Sequence, residues 1–245
     1  MTYIVDAMSV VYAGYFSASG SKIPGNVCSE SDYKRSIFHF LRHCEPQNTY
    51  VCWEGPKSTA YRKNLNKDYK SNRKWDPGVL EAVKAMKTLC EKNNYREISV
   101  SGFEADDTIV ALCKYLKSLG EEIEIISRDR DLLQAIQKGY ADCQYDPVQK
   151  AYLESPGYDI IKYKALVGDA SDCIKGVTQV GKKKALKVLA GEIKLTEAQE
   201  AEYQAALGLI DTEAHPQFET LYGVIEEGLK QGDRVLKLGF DDLGL

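Results

Sequence analysis

The sequence lacks the features that would place it among disulfide-stabilised, zinc-binding or membrane proteins. Its seven cysteines are odd in number and scattered, and no two of them form a C-x-x-C pair. This pattern favours reduced thiols and argues against both a disulfide framework and a zinc site. No apolar run approaches the length of a membrane span, and the first residues, MTYIVDAMSV, lack the basic start of a secretory signal. We therefore expect a cytoplasmic protein that does not enter a membrane.

The chain also has little net charge, −4 from 32 Lys/Arg and 36 Asp/Glu, but this charge is unevenly divided. Residues 192–245 hold 12 acids and 4 Lys/Arg, so 1–191 hold 24 acids and 28 Lys/Arg, a net of +4. Basic residues are concentrated in 57–74, with seven Lys/Arg and one acid, and in 173–191, with five lysines and no acid. A charge run is ordinarily a solvated face. Two basic segments beside clustered acids weaken that interpretation here, whereas we do interpret the acidic segment after 192 as a solvated helical surface.

Short β-branched runs alternate with amphipathic helical patterns in the first two thirds of the chain. Strands are predicted over 2–6, 49–54, 97–100 and 122–127, and helices over about 31–44, 77–93, 103–119 and 129–138. The alternation predicts an α/β fold with a mainly parallel central sheet flanked by helices.

The pattern changes after about residue 156, where helical segments follow one another without strands. These helices are predicted over about 159–168, 182–190, 197–210 and 217–230. We therefore expect an α/β core over 1–158 and a helical C-terminal region over 159–245.

Each of the four predicted strands ends at a carboxylate or leads into one. These acids are Asp6, Glu54, the three acids of GFEADD (Glu104, Asp106 and Asp107) and the two of SRDRD (Asp129 and Asp131). In parallel sheets the working site lies at the carboxyl ends of the strands. A single acid could simply complement a helix N-terminus, but the repetition predicts one acidic cluster at this edge.

Clustered carboxylates require a cation. Two of them about 4 Å apart repel by roughly 4 kcal/mol at an effective dielectric constant near 20. Oxygen ligands with no histidine or cysteine nearby select Mg²⁺ or Mn²⁺ rather than zinc. Two such ions commonly serve phosphodiester hydrolysis, one activating water and the other stabilising the leaving oxygen.

A further acidic pair precedes a glycine-bounded turn. Asp169 and Asp172 are three residues apart, a spacing that can direct both at one ion, and GVTQVG follows from Gly176 to Gly181. The segment has the form of a helix–hairpin–helix, in which glycines let the backbone approach a phosphate and N–H groups bind it. Three lysines follow at once: Lys182, Lys183 and Lys184. Taken alone, an ordinary turn with solvated lysines explains this segment equally well.

Together these motifs resemble the 5′ nuclease family, which comprises bacteriophage 5′–3′ exonucleases, flap endonucleases and the nuclease domain of bacterial DNA polymerase I. The resemblance extends from IVDAMSVVY through YKSNR, GFEADD and ISRDRDLLQ to LVGDASDCIKGVTQVGKKKA, and covers most of residues 1–190. It implies a PIN-like nuclease core with an arch at about 57–95. It also implies a helical C-terminal region with a DNA-binding hairpin at about 169–190.

The resemblance assigns roles to particular residues. The implied metal carboxylates are Asp6, Glu54, Glu104, Asp106, Asp129, Asp131, Asp169 and Asp172. Asp107 would support them within the catalytic set, and Lys70 and Arg73 of YKSNR would hold and polarise the scissile phosphate. The implied DNA-binding residues of the hairpin are Gly176, Val177, Gly181, Lys182, Lys183 and Lys184.

The chain departs from the family's usual pattern at three positions. Glu54 stands where the family usually has aspartate, and Cys173 and Lys175 stand where asparagine and proline are more frequent. The cofactors implied by the resemblance are two Mg²⁺ or Mn²⁺ ions, with K⁺ often bound at the hairpin.

We therefore predict a metal-dependent nuclease that acts on 5′ ends or 5′ flaps of DNA, with RNA primers and RNA–DNA hybrids as further candidate substrates. The expected setting is replication or repair, as a monomer in the cytoplasm (the host's, for a bacteriophage protein), with a replication polymerase as candidate partner. One alternative is a structure-specific DNA-binding protein without catalysis, which is disfavoured because no strand end lacks its acid. Another is a PIN-type ribonuclease, disfavoured because such domains are shorter and lack the hairpin with its lysines.

Overall fold

The computed structural model describes residues 1–20, 28–73, 76–232 and 235–238 of the 245-residue chain. Its strands are β1 (Thr2–Asp6), β2 (Thr49–Cys52), β3 (Arg96–Val100), β4 (Ile123–Ile126), β5 (Cys143–Asp146), β6 (Ala151–Tyr152), β7 (Gly168–Asp169), β8 (Ile174–Lys175) and β9 (Val235–Leu238). Its helices are α1 (Ala7–Gly20), α2 (Glu30–Leu41), α3 (Ala60–Leu65), α4 (Pro77–Asn93), α5 (Ala105–Ser118), α6 (Leu133–Gln137), α7 (Ile160–Val167), α8 (Lys182–Leu189), α9 (Glu197–Ile210) and α10 (Phe218–Gln231). None of these helices combines the length and hydropathy that a membrane span requires.

A central sheet organises the described residues, with seven strands in the order β6-β5-β4-β1-β2-β3-β9. Every neighbouring pair in it is parallel except the antiparallel pair β5–β6 at one edge. The mainly parallel α/β fold that the alternating pattern predicted is therefore confirmed. All parallel strands direct their carboxyl ends to the same edge.

Both faces of the sheet are covered because successive strand side chains point to opposite faces. In β1, Ile4 belongs to one buried cluster and its neighbour Val5 to another. The Ile4 cluster contains apolar residues of α5 and α10, and the Val5 cluster contains those of α1, α2 and α4. The sheet is thus a middle layer between two helical layers.

The helix ends follow local capping chemistry. Asp76 precedes Pro77, and its side chain accepts a hydrogen bond from the N–H of Gly78 at 2.8 Å, which starts α4. Asn94 ends the same helix in the left-handed region at φ 64°, a conformation that asparagine tolerates better than most residues. The predicted bounds of 77–93 and 197–210 therefore coincide with α4 and α9.

The prediction of a C-terminal region without strands is wrong. β9 pairs in parallel with β3 at the edge of the central sheet, and β7 pairs antiparallel with β8. These strands have four, two and two residues, too few for a periodic pattern to reveal. The helix predicted over 129–138 begins as a 3₁₀ turn at Arg130–Leu132 and continues as α6.

The segment predicted as an arch, 57–95, does not form one unit. α4 is packed into the helical layer, where Val79, Ala82, Met86 and Cys90 are fully or almost fully buried. Residues 57–73 instead contact the N-terminus of α5 and the β7–β8 region. The predicted boundary at 158/159 lies in the loop between β6 and α7.

Candidate active site

A cleft of about 790 Å³ opens at the carboxyl edge of the sheet. Five of the predicted metal carboxylates line it: Asp6, Glu54, Asp106, Asp129 and Asp131. A small cavity beside it, of about 20 Å³, is lined by the other three together with two of the first five: Glu104, Asp106, Asp131, Asp169 and Asp172. The fold thus brings all eight carboxylates into one region, with Asp106 and Asp131 lining both cavities.

Asp6 occupies the end of β1, where the strand passes directly into α1. Its carboxylate accepts hydrogen bonds from the N–H of Ser9 at 3.0 Å and from the hydroxyl of Ser127 at 2.7 Å. Burial raises the pKa of Asp6, although both hydrogen bonds act in the opposite direction. The two serines therefore fix the orientation of this carboxylate, but their hydrogen bonds do not offset the free-energy cost of burying its charge.

Asp106 lies in the first turn of α5. Burial raises its pKa well above the ordinary value, and the neighbouring Asp129 raises it further. Burial also raises the pKa of Glu54, whose carboxylate accepts a hydrogen bond from the N–H of Ala105 at 3.2 Å. The extra methylene of this glutamate, compared with aspartate, thus reaches the N-terminus of α5.

Asp129 and Asp131 stand in the 3₁₀ turn that follows β4. Asp129 accepts a hydrogen bond from the N–H of Asp131 at 2.9 Å and so caps this turn. Asp131 pairs with Lys164 of α7, whose ammonium also contacts Asp169 at 2.6 Å. Lys164 therefore lies between two of the predicted metal ligands.

Glu104 and Asp107 form the capping box of α5. Both are almost completely buried, and both pair with Arg62 of α3 at 2.7 to 2.8 Å. Glu104 also accepts a hydrogen bond from the hydroxyl of Tyr69 at 2.8 Å and one from Lys70. Asp107 does not line the cleft, so its predicted support of the other acids would act through Arg62 and the α5 N-terminus.

Lys70 and Arg73 line the same cleft as the acids. Arg73 pairs with Asp172 at 2.9 Å, and the ammonium of Lys70 lies 3.9 Å from the same carboxylate. Burial opposes the charge of Lys70, but Glu104 and Asp172 outweigh it and raise the pKa of the lysine. Its backbone has a φ of 53°, a conformation that costs a non-glycine residue about 1 kcal/mol or more. The surrounding contacts, including its N–H bond to the Asp172 carbonyl, hold it there.

The hairpin after β8 depends on close backbone packing. A Cβ atom on Gly176 would lie 2.3 Å from the carbonyl carbon of Val167, so only glycine fits. Val177 was predicted to bind DNA, but its side chain is buried and its N–H donates to the carbonyl of Leu166, which leaves it a packing role. Gly181 precedes α8, and Lys182 and Lys183 are exposed in the first turn, whereas Lys184 is half-buried.

The acidic surface of α9 is not simply a solvated face, because it also forms hydrogen bonds with the hairpin. Glu202 accepts hydrogen bonds from the N–H and the hydroxyl of Thr178 in the hairpin, at 2.6 and 2.9 Å. Gln199 donates to the carbonyl of the same threonine at 2.8 Å. α9 therefore holds the tip of the hairpin from one side.

Several residues of the site carried no separate signal in the sequence. Arg62 is one of seven basic residues in 57–74, and nothing local in the sequence indicates that it is buried. Lys164 stands in an ordinary amphipathic helix. Tyr12 and Arg128 line the cleft as well, and Tyr12, which α1 could have buried in the core, is 37% exposed.

The donor set suits a hard divalent cation. The acidic groups of the cleft all offer carboxylate oxygens, and burial, with smaller contributions from neighbouring acids, raises the pKa values of Asp6, Asp106 and Glu54. Such oxygens are the ligands that Mg²⁺ and Mn²⁺ prefer. In the part of the chain that the structure describes, no three acids surround one point at ion-binding distance. Lys70 and Lys164 instead form ion pairs with four of the predicted metal carboxylates: Glu104, Asp131, Asp169 and Asp172.

The charge of Asp131 is expected to make the metal-free protein less stable as the pH rises. Burial and the neighbouring Asp129 raise the pKa of Asp131 to about 6, compared with about 3.9 in an unfolded chain. The folded state therefore holds this proton between about pH 4 and 6, where the unfolded state has released it. The unfolding free energy should fall by up to about 3 kcal/mol through that window.

Urea denaturation in EDTA at several pH values measures this effect. Asp131→Asn should show a smaller fall than the wild type over the same window. Parallel curves for the two proteins would contradict the assignment of the raised pKa to Asp131.

Comparison with known proteins shows similar sequences and folds. A family model described as "5'-3' exonuclease, N-terminal resolvase-like domain" matches residues 1–160. A DNA polymerase I of Caldicellulosiruptor bescii is 31% identical over 202 residues, which cover 76% of this chain and 24% of that protein. A 5′-3′ exonuclease of Aquifex aeolicus is 28% identical over 199 residues, covering 76% and 68%. The chain thus spans about a quarter of the polymerase relative.

Two solved structures share the fold. A T5 5′-exonuclease with bound divalent metal ions (zinc) superimposes with a TM-score of 0.68 at 19% identity, covering 92% of this chain and 98% of that one. A T5 flap endonuclease in complex with DNA and metal ions gives a TM-score of 0.68 at 18% identity, covering 94% and 99%. The fold therefore recurs in these structures.

Proposed function

The chain belongs to the 5′-3′ exonuclease family, and on that premise we propose that it is a divalent-metal-dependent nuclease that hydrolyses DNA at 5′ ends or 5′ flaps. One observation carries the proposal. Acids from four separate strand ends line one cleft, and Lys70 and Arg73 line the same cleft. The cleft thus combines carboxylates, which suit divalent metal ions, with cationic side chains, which suit a phosphate.

The metal ions proposed are two Mg²⁺ or Mn²⁺, held by the five acids that line the cleft and by Glu104, Asp169 and Asp172 beside it. When bound, they would supply an activated water and stabilisation of the leaving oxygen. A K⁺ ion at the hairpin is proposed on the family resemblance alone. A replication or repair role, a monomeric state, a cytoplasmic location, activity on RNA–DNA hybrids and cooperation with a replication polymerase are proposals of the same kind.

The chain's own basic residues would position the phosphate. Lys70 stays protonated because Glu104 and Asp172 raise its pKa, so it brings a full positive charge to the reacting group. Arg73 is 55% exposed although it pairs with Asp172, and its planar guanidinium can bind two phosphate oxygens at once. Together they would favour the extra negative charge of the transition state.

The hairpin would bind the duplex away from the reaction. Gly181 and the first turn of α8 present backbone N–H groups and two exposed lysines at one end of a helix. Such an end favours phosphate. The hairpin therefore contributes to affinity, whereas Lys70 and Arg73 contribute to rate.

Cleavage of labelled duplexes tests the proposal directly. A 5′-flap duplex and a blunt duplex, each labelled at both ends, should be cut from the 5′ side with Mg²⁺ and remain intact in EDTA. Binding of the flap duplex without cleavage in any divalent ion would favour the DNA-binding alternative. Cleavage that persists in EDTA would contradict the role of the acids.

Replacing Lys70 in the cleft and replacing Lys182 after the hairpin should affect different quantities, the cleavage rate and the DNA affinity. Lys70→Ala should lower the single-turnover rate more than the affinity, because its contact strengthens in the transition state. Lys182→Ala should weaken binding and reduce the salt dependence of log K by about one unit, at little cost to the rate at saturation. Rates and affinities measured at several salt concentrations separate the two effects.

Lys187→Ala is the matched control, because this exposed lysine lies in the last turn of the same helix, α8. It should leave the salt dependence unchanged. Equal effects of Lys70→Ala and Lys182→Ala on rate and affinity would contradict the division of roles.

A further inference from the structure

Two tyrosines at the start of α7 line the acid cleft. The rings of Tyr158, which precedes the helix, and Tyr163, which belongs to it, have centroids 4.7 Å apart and planes inclined by 40°. Both line the cleft together with Asp131 and Lys164, and both side chains are only partly buried. The cleft therefore includes an aromatic surface that neither metal binding nor phosphate binding uses.

Tyr163 connects this pair with the hairpin. It packs against the buried cluster that contains Val177 and Val180. Tyr158, in contrast, packs against none of the buried apolar clusters that the described residues form. Its ring thus keeps a surface that no such cluster covers. A flat group in the cleft can stack on Tyr158, while Tyr163 supports the ring.

The position of Tyr158 is fixed before any ligand binds. Its carbonyl accepts a hydrogen bond from the side-chain amide of Gln137 at 2.8 Å, and the N–H of Ile160 donates to the amide oxygen of the same glutamine at 3.0 Å. Asp159 caps α7 by accepting a hydrogen bond from the N–H of Lys162 at 3.0 Å. The loop is therefore tied to both α6 and α7, and an ordered group loses less conformational entropy when it binds a ligand.

The charges of the cleft identify what would stack there. Arg128 and Arg130 are exposed and line the cleft in addition to Lys70 and Arg73. Nε of Arg128 lies 4.0 Å from the carboxylate of Asp146, which is beyond hydrogen-bond distance, so this contact leaves its donors available for a phosphate. Sites for single-stranded nucleic acid combine cations that follow the backbone with aromatic rings on which bases stack. The cleft contains both.

We propose that Tyr158 stacks on one nucleobase of the unpaired 5′ strand and does so without preference among the four bases. Every base has an aromatic face, so stacking by itself reads no sequence. The inference rests on the proposed function and adds a base-stacking position to it. At this position the protein holds the strand by a base, while the cationic side chains of the cleft hold its phosphates.

Equilibrium binding of 5′-flap duplexes tests the inference without any cleavage. Fluorescence anisotropy in EDTA would be measured with flaps that carry a single abasic residue at each successive position. Loss of the stacked base should weaken binding about fivefold or more at one position of the scan. The four bases placed in turn at that position should bind within about twofold of one another.

Two variants connect that position to Tyr158. Tyr158→Leu keeps a bulky apolar side chain but removes the ring, and should abolish the effect of the abasic residue there. Tyr158→Phe keeps the ring and removes only the hydroxyl, so its scan should match that of the wild type. Tyr152→Leu is the matched control, because this exposed tyrosine of β6 also packs on a second tyrosine ring, that of Tyr145, at 5.3 Å, and does not line the cleft. It should leave the scan unchanged.

Photocrosslinking tests the same contact in the unaltered protein. A flap with 5-iodouracil at the position that the scan identifies should crosslink to Tyr158 on irradiation, and mass spectrometry of the digested complex identifies the residue. The test remains decisive even if Tyr158→Leu fails to fold. A crosslink to a different aromatic residue would overturn the assignment.

The outcomes separate the two proposals. A wild-type protein that does not bind the flap duplex at all would overturn the proposed function. Tight binding with a flat scan, or a scan that Tyr158→Leu leaves unaltered, would overturn the stacking position alone and leave the two tyrosines a packing role beside α7. Loss of the effect in Tyr158→Phe would overturn it as well, because the hydroxyl rather than the ring face would then make the contact.

Discussion

Replacing Asp106 by asparagine is expected to lower the single-turnover cleavage rate about a hundredfold or more, with DNA affinity changed only slightly. Asp106 lines both the cleft and the small cavity beside it, so it contributes to both parts of the acidic cluster. Asparagine has the same shape but no charge, and removing one preorganised electrostatic contact commonly costs about 10²–10³ in rate. Quenched-flow cleavage of a 5′-flap duplex, with anisotropy for affinity, measures both quantities.

The same variant should not weaken the metal-free fold. Burial and the neighbouring Asp129 raise the pKa of Asp106, so loss of its charge relieves repulsion. Thermal melts in EDTA should show Asp106→Asn at least as stable as the wild type. Asp142→Asn is the matched control, since this exposed aspartate pairs with Lys117 away from the cleft. It should cut at the wild-type rate.

Two results would contradict this account. A near wild-type rate for Asp106→Asn in Mg²⁺ would remove the residue from the mechanism. A clear loss of stability in EDTA would indicate that its carboxylate mainly supports the N-terminus of α5.

Replacing Arg62 by methionine is expected to lower the unfolding free energy by about 3 to 5 kcal/mol, a large fraction of the usual total. Arg62 is 3% exposed, and its guanidinium bonds to Glu104, to both oxygens of Asp107 and to the carbonyl of Leu209. Methionine fills similar space but leaves the buried carboxylate of Asp107 without its cation and that of Glu104 with Lys70 alone. Urea denaturation at neutral pH gives the change.

Matched variants separate the lost charge pair from lost packing. Lys63→Met, at the exposed neighbouring position in α3, should cost less than about 0.5 kcal/mol. The double variant Arg62→Met/Asp107→Leu should recover part of the loss, because it removes the most deeply buried unpaired charge. A small effect of Arg62→Met alone would mean that α3 is not tied to α5 by this pair.

Arg62 also connects stability with the site. It holds α3, the start of the segment that carries Lys70 and Arg73, against the N-terminus of α5, which carries Asp106. The proximity of these basic and acidic residues in the cleft therefore depends on Arg62, which does not itself line the cleft. We expect Arg62 variants that fold to bind the reacting phosphate less well.

The positions of the acids along the chain follow from local pattern. Period-two alternation in β1 assigns Ile4 and Val5 to opposite faces, and a strand that is buried on both faces belongs to a parallel sheet. Once the strands are parallel, the residues that follow them must share an edge. Asp6 and Asp129 could thus be placed at the same edge from the sequence, because the alternation that identifies a strand depends only on residues that are neighbours in the chain.

The partners of the acids that are distant in the chain were decided by tertiary structure alone. Glu104 and Asp106 are two residues apart in one motif, yet Glu104 pairs with Arg62, 42 positions away, while Asp106 faces the cleft. In the same way β9 pairs with β3, and Lys164 joins Asp131 to Asp169. Partners so distant in the chain are selected by the packing of whole elements and by the cost of burying an unpaired charge. No local pattern in the sequence encodes that choice, so only the folded chain shows which carboxylates remain free for a cation.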